Sequence, residues 1–284
     1  MSVDRLARAL DEQVRRFARA LAGARRGEVA GVHQARVASR RLREILPVAA
    51  WAGPGDLAGR ARDEVRRVTQ LLGPVRELDV TRGYLEDAAA RHAWELPVVE
   101  HLREGLARDR RERQAAATAA LRQESTKQML RDVRQVVRDL AAAGHTAAWE
   151  KRLDRRRRKR AKALGASLDD LGTLYVPTRL HAVRIATKKL RYSLEADRAI
   201  RRAALTSDIR TLESAQEALG HLHDLQILQD RLHRAGREAG ATRALMAQLR
   251  RMSAELEGEC RQLHAQVLAR AARWRQLAAR QAER

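Results

Sequence analysis

Two short segments carry the residues best able to do chemistry. His33, Arg36, Arg40 and Arg43 stand at spacings of three, four and three, and His181, Arg184, Lys188 and Arg191 repeat those spacings. On a helix, positions i, i+3, i+7 and i+10 share one face, so each set forms a row of cations headed by an imidazole. The chemistry on offer is anion capture, because a guanidinium stays charged when partly desolvated and donates two parallel hydrogen bonds to an oxyanion. Val32, Ala35, Leu42 and Leu46 mark an apolar face beside the first row; Leu180, Val183, Leu190 and Leu194 do so beside the second. Each row therefore borders a core. At an effective dielectric of ~20, like charges ~6 Å apart repel by about 3 kcal/mol. Glu44 and Glu195 are near enough for each to pair one base of its own row, which leaves most of the charge unbalanced. Clustered cations beside a core, without matching carboxylates, imply an anion from outside. Arg41 and Lys189 are expected on the other side of their helices.

The two segments belong to a longer repeat. Val32 to Arg43 aligns with Leu180 to Arg191 at a displacement of 148 residues, matching His, Arg, two adjacent bases, Leu and Arg. Leu72-Gly73-Pro74-Val75-Arg76-Glu77-Leu78-Asp79 aligns with Leu219-Gly220-His221-Leu222-His223-Asp224-Leu225-Gln226 at a displacement of 147. Two matches in the same order predict a duplicated unit, with halves at about 1–143 and 144–284. Arg76 and His223 each follow a Gly and are expected at a helix start, where unpaired N–H groups and the helix dipole favour anions. Glu77, Asp79 and Asp224 read as caps or as orienters of the neighbouring bases.

The elements that must position these residues are helices. Ala, Leu, Arg, Glu and Gln dominate the 284 residues, aromatics make up 3%, and Asn is absent. These are strong helix formers, and turn signals for hairpins are missing. Helices are expected at about 2–25, 29–52, 56–73, 75–93, 96–143, 146–167, 177–200, 203–220, 222–238 and 240–281. Gly27, Pro54, Gly73-Pro74, Pro97, Gly144, Gly172, Pro177, Gly220 and Gly240 supply the stops, and the longest pieces have further candidate breaks near Gly105, Ser125 and Gly258. The fold class is all-α: two pseudo-two-fold related four-helix bundles with long helices.

The net charge is +22, from 58 basic and 36 acidic residues, and only six of the bases are Lys. That balance calls for an anionic partner: nucleic acid, an acidic membrane surface or a phosphate polymer. The excess of Arg also fits a GC-rich codon habit. The run Lys151-Arg152-Leu153-Asp154-Arg155-Arg156-Arg157-Arg158-Lys159-Arg160 reads as charged all round, one side extending an anion-binding surface and the other solvated. Aromatic residues able to stack bases are scattered, and no helix-turn-helix or zinc-finger pattern stands out, so nonspecific nucleic-acid binding is the weaker reading. Neither a G-x-x-x-x-G-K-[ST] loop nor a carboxylate cluster is present, which argues against an enzyme acting on phosphoanhydrides. His221 and His223 lack the companions of a metal site, so no metal and no cofactor are expected. Cys260 stands alone, Asp4, Arg5 and Arg8 interrupt any leader-like start, and Ile45–Gly55 is too short to span a bilayer. A soluble, cytoplasmic protein is expected, with no membrane partner.

The pattern His33-x-x-Arg36-Val-x-x-Arg40-Arg41-Leu-Arg43, its copy His181-x-x-Arg184-Ile-x-x-Lys188-Lys189-Leu-Arg191-Tyr192-x-x-Glu195, and the two Leu-Gly…Arg/His-Glu/Asp-Leu segments resemble the CHAD family, the conserved-histidine α-helical domain. The resemblance covers nearly the whole chain as one CHAD-like domain. It implies two pseudo-symmetric four-helix bundles around a basic groove or pore that binds inorganic polyphosphate without catalysis, and an association with polyphosphate granules. Carried over by position, the contacts are His33, Arg36, Arg40, Arg43, Arg76, His181, Arg184, Lys188, Arg191 and His223, with Arg41, Lys189 and Tyr192 in second rank. His223 in place of Arg76, and Gln226 in place of Asp79, imply unequal halves. The triphosphatase fused to some members has only a decoy here, since Glu255-Leu-Glu257-Gly-Glu259 lacks the lysine and lies in a helical context.

Overall fold

The computed structural model describes residues 3–53, 55–121, 123–143, 148–201, 203–237 and 242–284. Its ten helices are α1 Val3–Arg25, α2 Val29–Ala49, α3 Leu57–Leu71, α4 Gly73–His92, α5 Leu96–Ala120, α6 Gln123–Ala142, α7 Ala148–Asp169, α8 Pro177–Arg201, α9 Thr206–Ala235 and α10 Arg243–Glu283. No strand occurs among the described residues. Expected stops at Pro54, Gly144 and Gly240 lie outside them.

Local chemistry explains most boundaries. The Asp56 side chain accepts a hydrogen bond from the Gly59 N–H at 3.2 Å, and Thr242 accepts from Leu245 at 3.1 Å, each capping a helix start. Pro74 sits in the first turn of α4, where its missing N–H costs nothing. The expected helix over 96–143 divides at Leu121 into α5 and α6. The expected break at Gly220 is absent, and α9 runs through it unbroken. A lone Gly costs only about 1 kcal/mol in a helix, and burial of Leu219, Leu222 and Leu225 outweighs that. Gly105 and Gly258 likewise lie inside continuous helices.

α1, α2, α3 and α6 close a four-helix ring around one core, with Phe17, Leu42, Leu46 and Val133 fully buried. α7, α8, the first part of α9 and the last part of α10 close a second ring around Leu164, Leu190, Leu212 and Trp274. Beyond these two bundles lies a third core, where α4 and α5 meet the far ends of α9 and α10 around Leu85, Trp94, Leu232 and Leu256. α2 and α8 pack on each other between the bundles. Gly31 fixes the seat of α2, because a Cβ there would stand 2.5 Å from the Gly23 carbonyl carbon of α1. That close approach buries Val32 and Ala35 and turns the basic row outward. Among the described residues no helix is long and apolar enough to cross a membrane.

Candidate polyanion-binding cleft

Both rows lie where the sequence pattern puts them, on α2 and α8, each beside its own buried leucines. They meet where Arg36 and Arg40 of α2 come within electrostatic reach of Arg184 and Lys188 of α8. α4 adds Arg76 and Glu77, and α9 adds His223 and Asp224. His33 and His181 are exposed. His33 feels Arg76, Arg40 and Arg36, whereas the His181 ring lies 5.2 Å from that of His223.

The electrostatics record crowding. Burial, then Arg184 and Arg40, push the Lys188 ammonium down to about 6, against the pull of Asp224. Burial, then Arg40 and Arg76, lower Arg36 to about 10. His223 falls to about 4 through burial and the charges of Arg184, His181 and Lys188. Partial loss of water around their rings also lowers His33 and His181, exposed though these residues are, and their basic neighbours add to it. Asp224 moves up, because loss of water outweighs the stabilising effect of Arg184, Lys188 and Arg76. Removal from water and mutual repulsion thus disfavour positive charge at Lys188, Arg36, His223, His33 and His181.

A cavity of about 660 Å³ opens from the meeting point. Arg40 and Arg43 come from α2, Arg62 and Arg66 from α3, Arg152, Arg155, Arg156, Lys159 and Arg160 from α7, and Lys188 and Lys189 from α8, beside Tyr192. Among the described residues, one carboxylate, Glu44, stands against eleven basic side chains. It accepts from Arg156 at 2.7 Å and from Arg160 at 3.1 Å, so its partners belong to α7 and not, as its spacing implied, to its own row. Glu195 does pair a base of its row, Arg191 at 3.2 Å, and also accepts from Arg41 at 3.1 Å. Arg41 therefore faces α8 without lining the cavity, and Lys189 lines it, so neither lies on the far side of its helix from the other row.

The remaining expected contacts divide. Arg76 lies in the first turn of α4, as predicted. His223 and Asp224 lie in the middle of α9, so neither a helix N-terminus nor a cap accounts for them. Asp79 caps nothing: Arg110 donates to it at 2.6 Å and also reaches the Gly27 carbonyl, tying α5 to the α1–α2 turn. Arg191 is engaged by Glu195 and Glu213 and lies over the Tyr192 ring at 4.8 Å. Arg62 and Arg66 escaped sequence reasoning. The repeat led that search, and at a displacement of 148 Arg66 falls opposite Ser214, although Arg62 falls opposite another base, Arg210. The available signal was a pair of bases four apart on one helix, with only Arg62 given an adjacent carboxylate, Asp63.

By class this is a helical-bundle protein built round a cationic cleft. Residues 8–233 match the CHAD domain, and the chain belongs to that family. Its structure is similar to a crystal structure of the CHAD domain from the plant Ricinus communis, with a TM-score of 0.67 at 22% identity over 93% of this chain and 91% of that one. It is also similar to PptA from Streptomyces chartreusis, with a TM-score of 0.66 at 20% identity over 96% of this chain and 99% of that one. At these identities the likeness speaks for the fold. The comparison with curated proteins finds no match.

Proposed function

We propose that this protein binds inorganic polyphosphate in the cleft between α2 and α8, does not process it, and serves in the cytoplasm to gather on polyphosphate granules. The observation that carries the reading is the lining itself, eleven bases around one carboxylate that two arginines already hold. A polymer with charge on every unit relieves the repulsion between Lys188 and Arg40, which both line that cavity. Affinity arises from charge-assisted hydrogen bonds and from counterions released on binding. Membership of the CHAD family points to the same polymer. Glu77 and Asp224 stand among arginines as counter-charges, and in this reading they orient bases and take no part in turnover.

Calorimetric titration with orthophosphate, triphosphate, long-chain polyphosphate and duplex DNA at physiological salt tests the proposal. Long-chain polyphosphate is expected to bind tightest, to weaken steeply with salt, and to raise the melting temperature of the empty protein. Duplex DNA displacing long-chain polyphosphate at equal phosphate concentration overturns it in favour of a nucleic-acid protein. Phosphate release on incubation with polyphosphate and Mg²⁺ overturns the non-catalytic part.

A further inference from the structure

The basic run on α7 has an outer side that shares Arg155 and Lys159 with the cleft and otherwise lies outside it. Arg156 and Arg160 turn inward onto Glu44, and Arg157 is buried between Asp154 and Asp197, at 3.4 Å from each. Lys151, Arg155, Arg158 and Lys162 follow spacings of four, three and four and are all exposed. They share one helix face, a third cationic row. This face borders a hollow of about 630 Å³ that shares Arg155 and Lys159 with the cleft cavity. Asp154 is the one acid on its wall, and Arg201 holds that carboxylate at 2.6 Å.

We propose that this outer face of α7 continues the binding track, so that a polyphosphate chain leaving the cleft runs over Lys151, Arg155, Arg158 and Lys162 and the protein selects for chain length. The inference rests on the reading of the cleft as a polyphosphate site. At a rise of ~1.5 Å per residue, the α7 row is about 16 Å long, close to the ~15 Å of the α2 row. A chain that passes from the cleft onto this face therefore meets cations that neither the α2 row nor the α8 row supplies. A short anion fills the cleft alone; a long chain engages both stretches, the second contact being intramolecular once the first is made. The outer cations repel one another little before ligand arrives, because solvent and salt screen them. They still release counterions when the chain lies down.

The test compares the wild-type chain with a Lys151→Gln, Arg158→Gln, Lys162→Gln variant against triphosphate and a ladder of polyphosphate lengths. The variant is expected to bind triphosphate as the wild type does, yet to lose about 10-fold on long chains, with a salt slope shallower by ~2 for three cations facing a single-stranded polyanion. Arg158 also donates to the Arg284 main-chain oxygen at 3.1 Å. Should the triple variant fail to fold, the Lys151→Gln, Lys162→Gln pair gives the same reading, with an expected loss of about 5-fold. Equal losses on triphosphate and long chains, or no loss on long chains, overturn the track while leaving the cleft standing. A wild-type protein that binds neither ligand overturns both.

Discussion

The rows on α2 and α8 share one spacing and differ in what holds them. Arg36 donates to the Thr69 carbonyl at 2.6 Å, near the C-terminal end of α3, where helix carbonyls carry partial negative charge. That end exists because the chain breaks at Gly73-Pro74. In the second half Gly220 breaks nothing, α9 continues, and its carbonyls are consumed by the helix ladder. Arg184 is left with its Nε buried and without a partner, with Asp224 nearby as counter-charge. The ends of the rows diverge as well: Arg43 lines the cavity, whereas Arg191 is tied to Glu195 and Glu213. The break before α4 thus gives Arg36 a carbonyl acceptor that the Nε of Arg184 lacks.

The largest effect expected from breaking this comparison is in the Arg36→Ala, Arg184→Ala double variant. It removes one guanidinium from each row, and affinity for long-chain polyphosphate should fall by about 100-fold or more, measured by calorimetry at low salt. The single variants should part company in thermal melts of the empty protein. Arg36→Ala loses a hydrogen bond and melts earlier, while Arg184→Ala removes a charge that burial already disfavours and melts no earlier. Equal falls would erase the distinction between the halves.

Lys188→Met should cost roughly 10-fold in affinity and also remove the pH dependence of binding above neutrality, leaving that of the histidines below it. In the folded empty protein this ammonium titrates at about 6, against an ordinary value of 10.5. Between those values the unfolded chain holds more protons, so stability of the empty protein rises with pH across that window. A bound polyanion favours the charged amine. Binding near pH 8 therefore takes up a proton, and affinity weakens as pH rises. Titrations in buffers of different ionisation enthalpy would read the uptake; a pH-independent wild type contradicts it.

Smaller effects sharpen the contrast at the row ends. Arg43→Ala should weaken binding by about 5-fold with little change in melting, whereas Arg191→Ala should melt earlier and bind within ~2-fold of wild type. Smallest of all, Asp224→Asn should bind long chains about 2-fold tighter with little change in melting, because burial already disfavours its charge despite the bases around it. Weaker binding would mean that Asp224 orients Lys188 and Arg184 for the ligand and does more than offset their charge.

Much of this was legible in the sequence, for reasons that particular residues make plain. The rows could be read because the 3.6-residue period ties His33, Arg36, Arg40 and Arg43 to a leucine face that had to be buried. The helical class followed from composition. The continuity of α9 did not, because Gly220 is a local signal and Leu219, Leu222 and Leu225 override it through contacts with other helices. Arg62, Arg66 and the Glu44–Arg156–Arg160 clamp were hidden for a related reason: which of several exposed arginines meet across a cleft depends on helix packing, which no local spacing encodes. The third core stayed out of sight because α4 and α5 finish it only with the far ends of α9 and α10.

That third core has a consequence for how the chain comes apart. α9 and α10 each begin or end in one apolar interior and finish in another, like dowels driven through two boards. Cutting the chain near its middle therefore cannot release two free-standing pieces, since Leu232 and Leu256 would lose Leu85 and Trp94. Hydrogen exchange should find α4, α5 and the ends of α9 and α10 opening as one cooperative block.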